Sequence, residues 1–285
     1  MLSIRTNMAS IYAQRNLDKA SQEYEGNIAR LSSGYRITKA SDDAAGMGVS
    51  TNLRAQVASY KMAARNAQDG VSLIQTAESA LNESAELITR LRELTVQAAS
   101  DGLGTTERQY LSAEVNKLTD EIGRIASTTE YNGRNLLSAA PTLQFQVGIR
   151  GGSSDSLSLT VQGATLASLG LAGASTFSSK FATFATQSSP GSSYQGLLTA
   201  LDDALVSVSS SRATLGATAN RLESAQNTIT VAMESAQQAD SRIRDVDVAE
   251  ESAKMSANQV LIQAGVSMLA QANQMPEAAL ELLVE

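Results

Sequence analysis

Neither cysteine nor histidine occurs in this chain of 285 residues. Without thiols there is no disulfide framework and no thiolate chemistry. Without imidazole the commonest general base and transition-metal ligand is missing, which removes His-based triads and zinc hydrolases together. Any catalysis would have to rest on Asp, Glu, Lys, Ser or Tyr, and no Gly-rich or aromatic constellation suggests a pocket for it, so the expectation is a protein that is not an enzyme and holds no cofactor. Tryptophan is absent as well, and aromatics make up 4% of the chain, too few for one thick globular core. Only three prolines occur, which leaves long stretches free to stay helical. No run of about 18 apolar residues exists, so no membrane insertion is expected, and Met1 to Ala20 lacks a basic start followed by an apolar block, so no cleaved leader is expected. Lys and Arg are not clustered and the formal charge is −7, which argues against nucleic acid as a partner.

What is present is helical periodicity. From Ser41 to Ser100 apolar positions recur in steps of four and three, at Leu53, Val57, Tyr60, Ala64, Ala67, Val71 and Ile74, and the beat continues at Leu81 and Ile88. That pattern predicts a helix with one buried seam, and at 1.5 Å per residue it would run about 90 Å. Ser41 is the expected N-cap, with Asp42 and Asp43 in the first turn. The helix should stop at Asp101-Gly102-Leu103-Gly104, and Thr106 with Gln109 offers a capping box for a second, antiparallel helix striped by Leu111, Val115, Leu118, Ile122 and Ile125. Asn132-Gly133 marks a turn. Leu143, Phe145, Val147 and Ile149 alternate with small or polar residues, as do Leu157, Leu159 and Val161 after a Gly-rich turn, which predicts a β-hairpin over about 143–161.

Residues 163–193 are rich in Ser, Thr, Ala and Gly, with Phe177, Phe181 and Phe184 scattered among them and Pro190-Gly191 at the end, and are expected to form a short surface-exposed variable segment with little core. The heptad resumes at Leu198 and runs through Leu201, Leu205, Val208, Leu215, Leu222, Ile229 and Ile243, supplying the partner of the long helix. Polar residues fall on that seam at Arg212, Gln226 and Asp240, unless Ala225 and Ala239 take their places. At the N-terminus Ile4, Met8 and Ile11 form one stripe and Leu17, Ala20, Tyr24, Ile28 and Leu31 another, so the apolar face is expected to shift midway. The C-terminal tail carries Ala257, Val260, Leu261, Ala264, Met268, Ala272 and Met275, then Leu280, Leu282, Leu283 and Val284. So apolar a tail marks a binding surface.

Leu31-Ser32-Ser33-Gly34-Tyr35-Arg36-Ile37 followed by Ala40-Ser41-Asp42-Asp43-Ala44-Ala45-Gly46 resembles the N-terminal signature of bacterial flagellins, as does Arg65-Asn66-Ala67-Gln68-Asp69-Gly70-Val71-Ser72. Gln263-Ala264-Gly265-Val266-Ser267-Met268-Leu269-Ala270-Gln271-Ala272-Asn273-Gln274 resembles the C-terminal signature. The resemblance spans nearly everything except residues 163–193 and implies a minimal flagellin. It implies a mainly α fold, an elongated antiparallel coiled-coil bundle with a small β-hairpin region. Residues 1–42 and 250–285 would be terminal helices of the filament core, and 43–162 with 194–249 the rod.

By the same resemblance, the chain is exported through the flagellar type III channel and is secreted, as part of the extracellular flagellum, where it forms a filament for swimming. The alternative is a hook–filament junction protein. Assembly in the filament core would use Ile4, Met8, Ile11, Leu31, Val260, Leu261, Ala264, Met268 and Leu269. An export chaperone would grip Leu261, Met268, Leu269, Met275, Leu280 and Leu283. Arg90, Leu91, Glu93, Leu94, Gln97 and Glu114 are similar to the patch recognised by a vertebrate Toll-like receptor, and would also make lateral contacts. Implied partners are further copies of the chain, the chaperone, hook-associated junction and cap proteins, and that receptor.

Overall fold

Two uninterrupted helices of more than fifty residues follow from the proline-free heptads, and they carry the rest. The computed structural model describes residues 7–138, 140–171, 174–187 and 191–284, with side chains over 7–138, 140–171, 177–187 and 194–274. The order is α1 (Met8–Ser33), α2 (Ala44–Ala98), α3 (Thr105–Thr128), β1 (Glu130–Tyr131), β2 (Arg134–Asn135), β3 (Thr142–Gln146), a 3-10 turn (Ser153–Asp155), β4 (Ser156–Thr160), α4 (Ala174–Ala185), α5 (Gly191–Arg244) and α6 (Val248–Val284). The fold is mainly α, with two small antiparallel hairpins. The chain forms two compact units, residues 1–57 with 234–285 and residues 58–233.

In the unit of residues 58–233, Val71, Ile74, Leu81 and Ile88 of α2 are buried with Leu215, Leu222 and Ile229 of α5. Leu53, Val57 and Tyr60, earlier on the same stripe of α2, are half-buried. Gly70 is small because space demands it: a Cβ there would lie 3.0 Å from both Leu222 Cδ1 and Phe145 Cδ1. The hairpin β3–β4 thereby seats Phe145 against α2, in a register that pairs Phe145 with Leu157 and Thr142 with Thr160. Leu143, Leu157 and Leu159 face inward, as their alternation requires. Asn132-Gly133 makes a hairpin turn rather than a plain loop. Both residues have positive φ, 51° and 74°, the conformation a two-residue β-turn needs, and β1 pairs with β2 across it.

Residues 164–185 correct the expectation of a segment with little core. Ala164, Leu166, Leu169, Leu171, Phe177 and Phe181 are all buried in the main core. The residues from Thr165 to Gly170 coil into turns held by Ser168 Oγ, which donates to Gly163 O. Phe177, Phe181 and Ala185 then lie one helical turn apart, a stripe hidden in the sequence by the Ser, Thr and Ala around it. Tyr194, early in α5, stacks edge-on against Phe181 and Phe184, with centroids 5.1 and 5.7 Å away. Pro190, expected to close the segment, lies outside the described residues.

Two capping expectations also fail. Asp43, not Ser41, caps α2: its Oδ1 accepts from Gly46 N at 2.9 Å. Asp42 instead closes the preceding turn, where Lys39 N, Thr38 N and Thr38 Oγ1 all donate to its Oδ2 and hold its carboxyl below the ordinary value. Asp42 is the better-placed acceptor for that turn, and Asp43 then lies three residues from the first free amide. At α3 the N-cap is Gly104, with no side-chain cap bond, so Thr106 sits inside the helix and forms no capping box.

In the unit of residues 1–57 and 234–285, α1 ends on Gly34 in the left-handed region at φ 74°. Val246 N then donates to Gly34 O at 3.0 Å and Arg36 N to Arg244 O at 2.6 Å, an antiparallel bridge between the two linkers. The Arg244 guanidinium lies over the Tyr35 ring at 4.2 Å from its centroid. Buried Ser50 of α2 donates to Asp240 of α5. The seam at that level is shared, since Ala239 and Asp240 are both half-buried, as are Ala225 and Gln226 further up α5.

Candidate assembly surfaces

Helices α1 and α6 lie antiparallel. Asn7 Nδ2 donates to Ala272 O at 2.7 Å at one end, and Arg30 Nη1 meets Glu251 Oε1 at 3.1 Å at the other. The residues of α1 turned toward α6 are Ser10, Ala13, Leu17, Ala20, Tyr24, Asn27 and Leu31, and those of α6 are Glu251, Met255, Asn258, Ile262, Gly265, Leu269 and Ala272. Each set steps by threes and fours, a single heptad seam per helix. The expected mid-helix change of face in α1 therefore does not occur: Met8 and Ile11 belong to a different face from the seam, and so does Ile28. Gly265 lets the helices close together, since a Cβ there would come 3.2 Å from Leu17 Cδ1.

Outside the seam, large apolar side chains remain uncovered. Met8, Ile11 and Tyr12 of α1 and Val260, Leu261, Val266 and Met268 of α6 are each 50–63% exposed. Of the residues expected to serve filament-core assembly, Met8, Ile11, Val260, Leu261, Ala264 and Met268 are thus exposed, Leu31 and Leu269 are half-buried in the seam, and Ile4 lies outside the described residues. The expected chaperone residues divide in the same way, with Leu261 and Met268 outward and Leu269 in the seam. The side chains of Met275, Leu280 and Leu283 fall outside those described.

The Arg90 patch is split by burial. Leu91 and Leu94 are 0% and 1% exposed and belong to the core, which removes them from the surface. Arg90, Glu93, Gln97 and Glu114 remain outward. Arg90 Nε and Nη2 both donate to Glu114 Oε1, at 3.1 and 2.8 Å, and Nη1 donates to Glu93 Oε2 at 3.0 Å. The Glu114 and then the Glu93 hydrogen bonds raise the Arg90 pKa. Arg92 makes a similar contact, Nε to Asp202 Oδ1 at 2.7 Å, tying α2 to α5.

Several polar residues that matter were not singled out in the sequence. Asn27, Asn258 and Glu251 are buried in the α1–α6 seam, and Arg108 is buried beneath the α2–α3 turn. Heptad counting could have found the first three, because each sits on a seam position. No local signal distinguishes Arg108. Among the described residues no group of three or more acidic side chains is placed to hold a metal ion, and no helix is long and apolar enough to cross a membrane.

The heptads and signatures at both ends match known proteins. Residues 4–142 match the family model described as the bacterial flagellin N-terminal helical region, and residues 198–283 match the bacterial flagellin C-terminal helical region. The chain belongs to the bacterial flagellin family. This flagellin is 40% identical over 288 residues to the flagellar filament 30.7 kDa core protein of Treponema maltophilum, covering 98% of this chain and 99% of that one. It is 38% identical over 304 residues to flagellin of Bacillus subtilis, covering 99% and 100%. The crystal structure of Bacillus cereus flagellin aligns with 58% of this chain and 88% of that one, at 27% identity and a TM-score of 0.46. The stretch between the two matched regions is short, as in a minimal flagellin.

Proposed function

We propose that this flagellin works as the structural subunit of a bacterial flagellar filament, self-assembling through the paired ends of its chain and acting by packing rather than by catalysis. The observation that carries this is the set of large apolar side chains that the α1–α6 pair leaves uncovered. Burying an exposed Val, Leu or Met side chain is worth about 1.5–3 kcal/mol each, and the single chain leaves several such residues half or more exposed. Further copies of the same chain, packed against Met8, Ile11, Val260, Leu261, Ala264 and Met268, would cover them. The subunit reaches its place outside the cell through the flagellar export channel, and an export chaperone shields the Leu261–Met268 face until then. Junction and cap proteins would meet the same terminal helices at the filament's ends. The outward Arg90–Glu114 pair, with Glu93 and Gln97, is the part of the receptor-like patch that another protein could reach in the free subunit.

Seeded growth tests the central reading. Purified subunits added to fragments of filament should elongate them, as seen by electron microscopy, and Leu261→Asp with Met268→Asp should abolish growth while leaving the helical content of residues 58–233 unchanged. Wild-type subunits that cap seeds without elongating them would make this a junction protein instead.

A further inference from the structure

The α1–α6 seam repeats every seven residues, so displacing one helix by a heptad, about 10 Å, keeps a seam position facing a seam position. The Gly265 notch that admits Leu17 and the bridge between the linkers favour the observed pairing, and within the seam a buried polar set at one level marks it as well. Asn27, Asn258 and Glu251 are 4%, 8% and 4% exposed. With its amide nitrogen toward the acceptors, Asn27 donates to Glu251 Oε1 at 2.9 Å and to Glu23 O at 3.1 Å, while its oxygen accepts from Asn258 Nδ2 at 3.1 Å. Arg30 Nη1 lies 3.1 Å from Glu251 Oε1, and Lys254 Nζ lies 3.8 Å from Oε2.

Two amides and a carboxylate are costly in a seam unless each finds partners. Only the observed register brings all three together. A slip of seven residues one way moves Asn27 from Glu251, Met255 and Asn258 to Asn258, Ile262 and Gly265, so it loses the carboxylate, which is carried past the end of α1 and away from Arg30. A slip the other way sets Asn258 level with Ala20 and leaves its amide among apolar side chains. Either displacement breaks the set of three.

We propose that Asn27, Asn258 and Glu251 form a register lock, which determines how the two ends of one flagellin chain pair and therefore which residues line the outward face. The lock rests on the assembly reading, because that outward face is the one further copies would cover. Its role is specificity: apolar residues at these positions would hold the helices together but in more than one alignment.

The absence of native cysteine allows a direct test. An ideal Cβ at Gly265 lies 3.7 Å from Leu17 Cβ, within the Cβ separation of about 3.5–4.5 Å that disulfides require. Leu17→Cys with Gly265→Cys therefore reports the observed register, and Leu17→Cys with Ala272→Cys reports the slipped one. Each pair is oxidised in seeded filaments, which are then dissolved and resolved on a gel as cross-linked or open monomer. With Asn27 and Asn258 intact, only the 17–265 product should form. In chains that also carry Asn27→Leu and Asn258→Leu, the 17–272 product should rise from background to an amount comparable with 17–265. Leu variants that assemble and give the 17–265 product alone overturn the lock. If the Leu variants do not assemble, Asn27→Ala with Asn258→Ala is oxidised both in seeded mixtures and in the soluble chain, where slipped product supports the lock and its absence overturns it. Should wild-type subunits fail to elongate seeds, the assembly reading fails, and the 17–265 to 17–272 ratio then decides the lock in the soluble chain held in trimethylamine N-oxide at a concentration where circular dichroism shows both ends helical.

Discussion

Arg108 should be the most costly polar side chain to lose from the unit of residues 58–233. Its side chain is 2% exposed, and the guanidinium spreads three donors over backbone carbonyls: Nε to Ala98 O at 3.1 Å, Nη2 to Ser100 O at 2.8 Å and Nη1 to Gln187 O at 3.3 Å. The Ala98 carbonyl ends α2, where the last turn has no amide of its own to offer, and Ser100 O lies in the turn that follows. Asp101, at 4.0 Å, is largely in water and gives little ionic support. Arg108→Met removes the buried charge, which helps, but strands the Ala98 carbonyl in a site where the residue has no solvent exposure. An orphaned buried acceptor costs about 1–3 kcal/mol, and loss of the fork's packing adds to it, so a net loss of about 2–4 kcal/mol is expected. For a unit of this size that lowers the melting temperature by about 5–15 °C, read by circular dichroism. Arg108→Lys should fare nearly as badly, because a point charge cannot reach three divergent carbonyls. If Arg108→Met melts within about 2 °C of wild type, the carbonyls are satisfied by water and the capping argument is wrong; if Lys alone restores wild-type stability, charge rather than geometry matters.

Leu222 is fully buried against the Gly70 notch, so Leu222→Asp should destabilise by about 4 kcal/mol or more in thermal unfolding, and an unchanged melting temperature would place that residue outside the core. Replacing residues 164–187 with a Gly/Ser linker strips six core side chains and the Gln187 carbonyl from their partners, and should abolish cooperative unfolding; a linker variant that melts normally would restore the reading of this segment as plain surface. Tyr194 Oη is buried without a hydrogen-bond partner, and burial pushes its pKa up. Tyr194→Phe should therefore leave the melting temperature unchanged or raise it, and a drop of several degrees would reveal a partner for the hydroxyl. The terminal helices bury little in the single chain. Limited proteolysis of the soluble subunit should remove roughly the first forty and last thirty-five residues before cutting elsewhere, whereas seeded filaments should resist, and equal protection in both would uncouple their order from assembly.

The long helices, their stripes and the β3–β4 hairpin were legible because each rests on a periodicity that one sequence displays on its own. Val71, Ile74, Leu81 and Ile88 announce a buried face by spacing alone. What stayed hidden depended on partners distant in sequence. Phe177 and Phe181 look scattered until α3 and Tyr194 are beside them, and Arg108 is an ordinary helix residue until the ends of α2 and α4 converge on it. In α1 the apolar residues guided only in part. Leu17, Ala20, Tyr24 and Leu31 do line the seam, but Met8, Ile11 and Ile28 point away from it, and the small or polar Ser10, Ala13 and Asn27 complete it. At α2 the expected cap, Ser41, lies two residues before the observed one, Asp43, a shift that propensity does not resolve.

The bridge between Gly34–Arg36 and Arg244–Val246 has a mechanical consequence. Both long helical paths are interrupted at the same level, and the interruptions are laced by two backbone hydrogen bonds, with Tyr35 stacked on Arg244 beside them. Side-chain substitution does not unlace it; only proline, which deletes a donor, would. Chain entering and chain leaving α1 and α6 are therefore joined at one point. For α1 to slide along α6, both backbone hydrogen bonds would have to break, so the two ends of the chain are tied at one level before their seam begins.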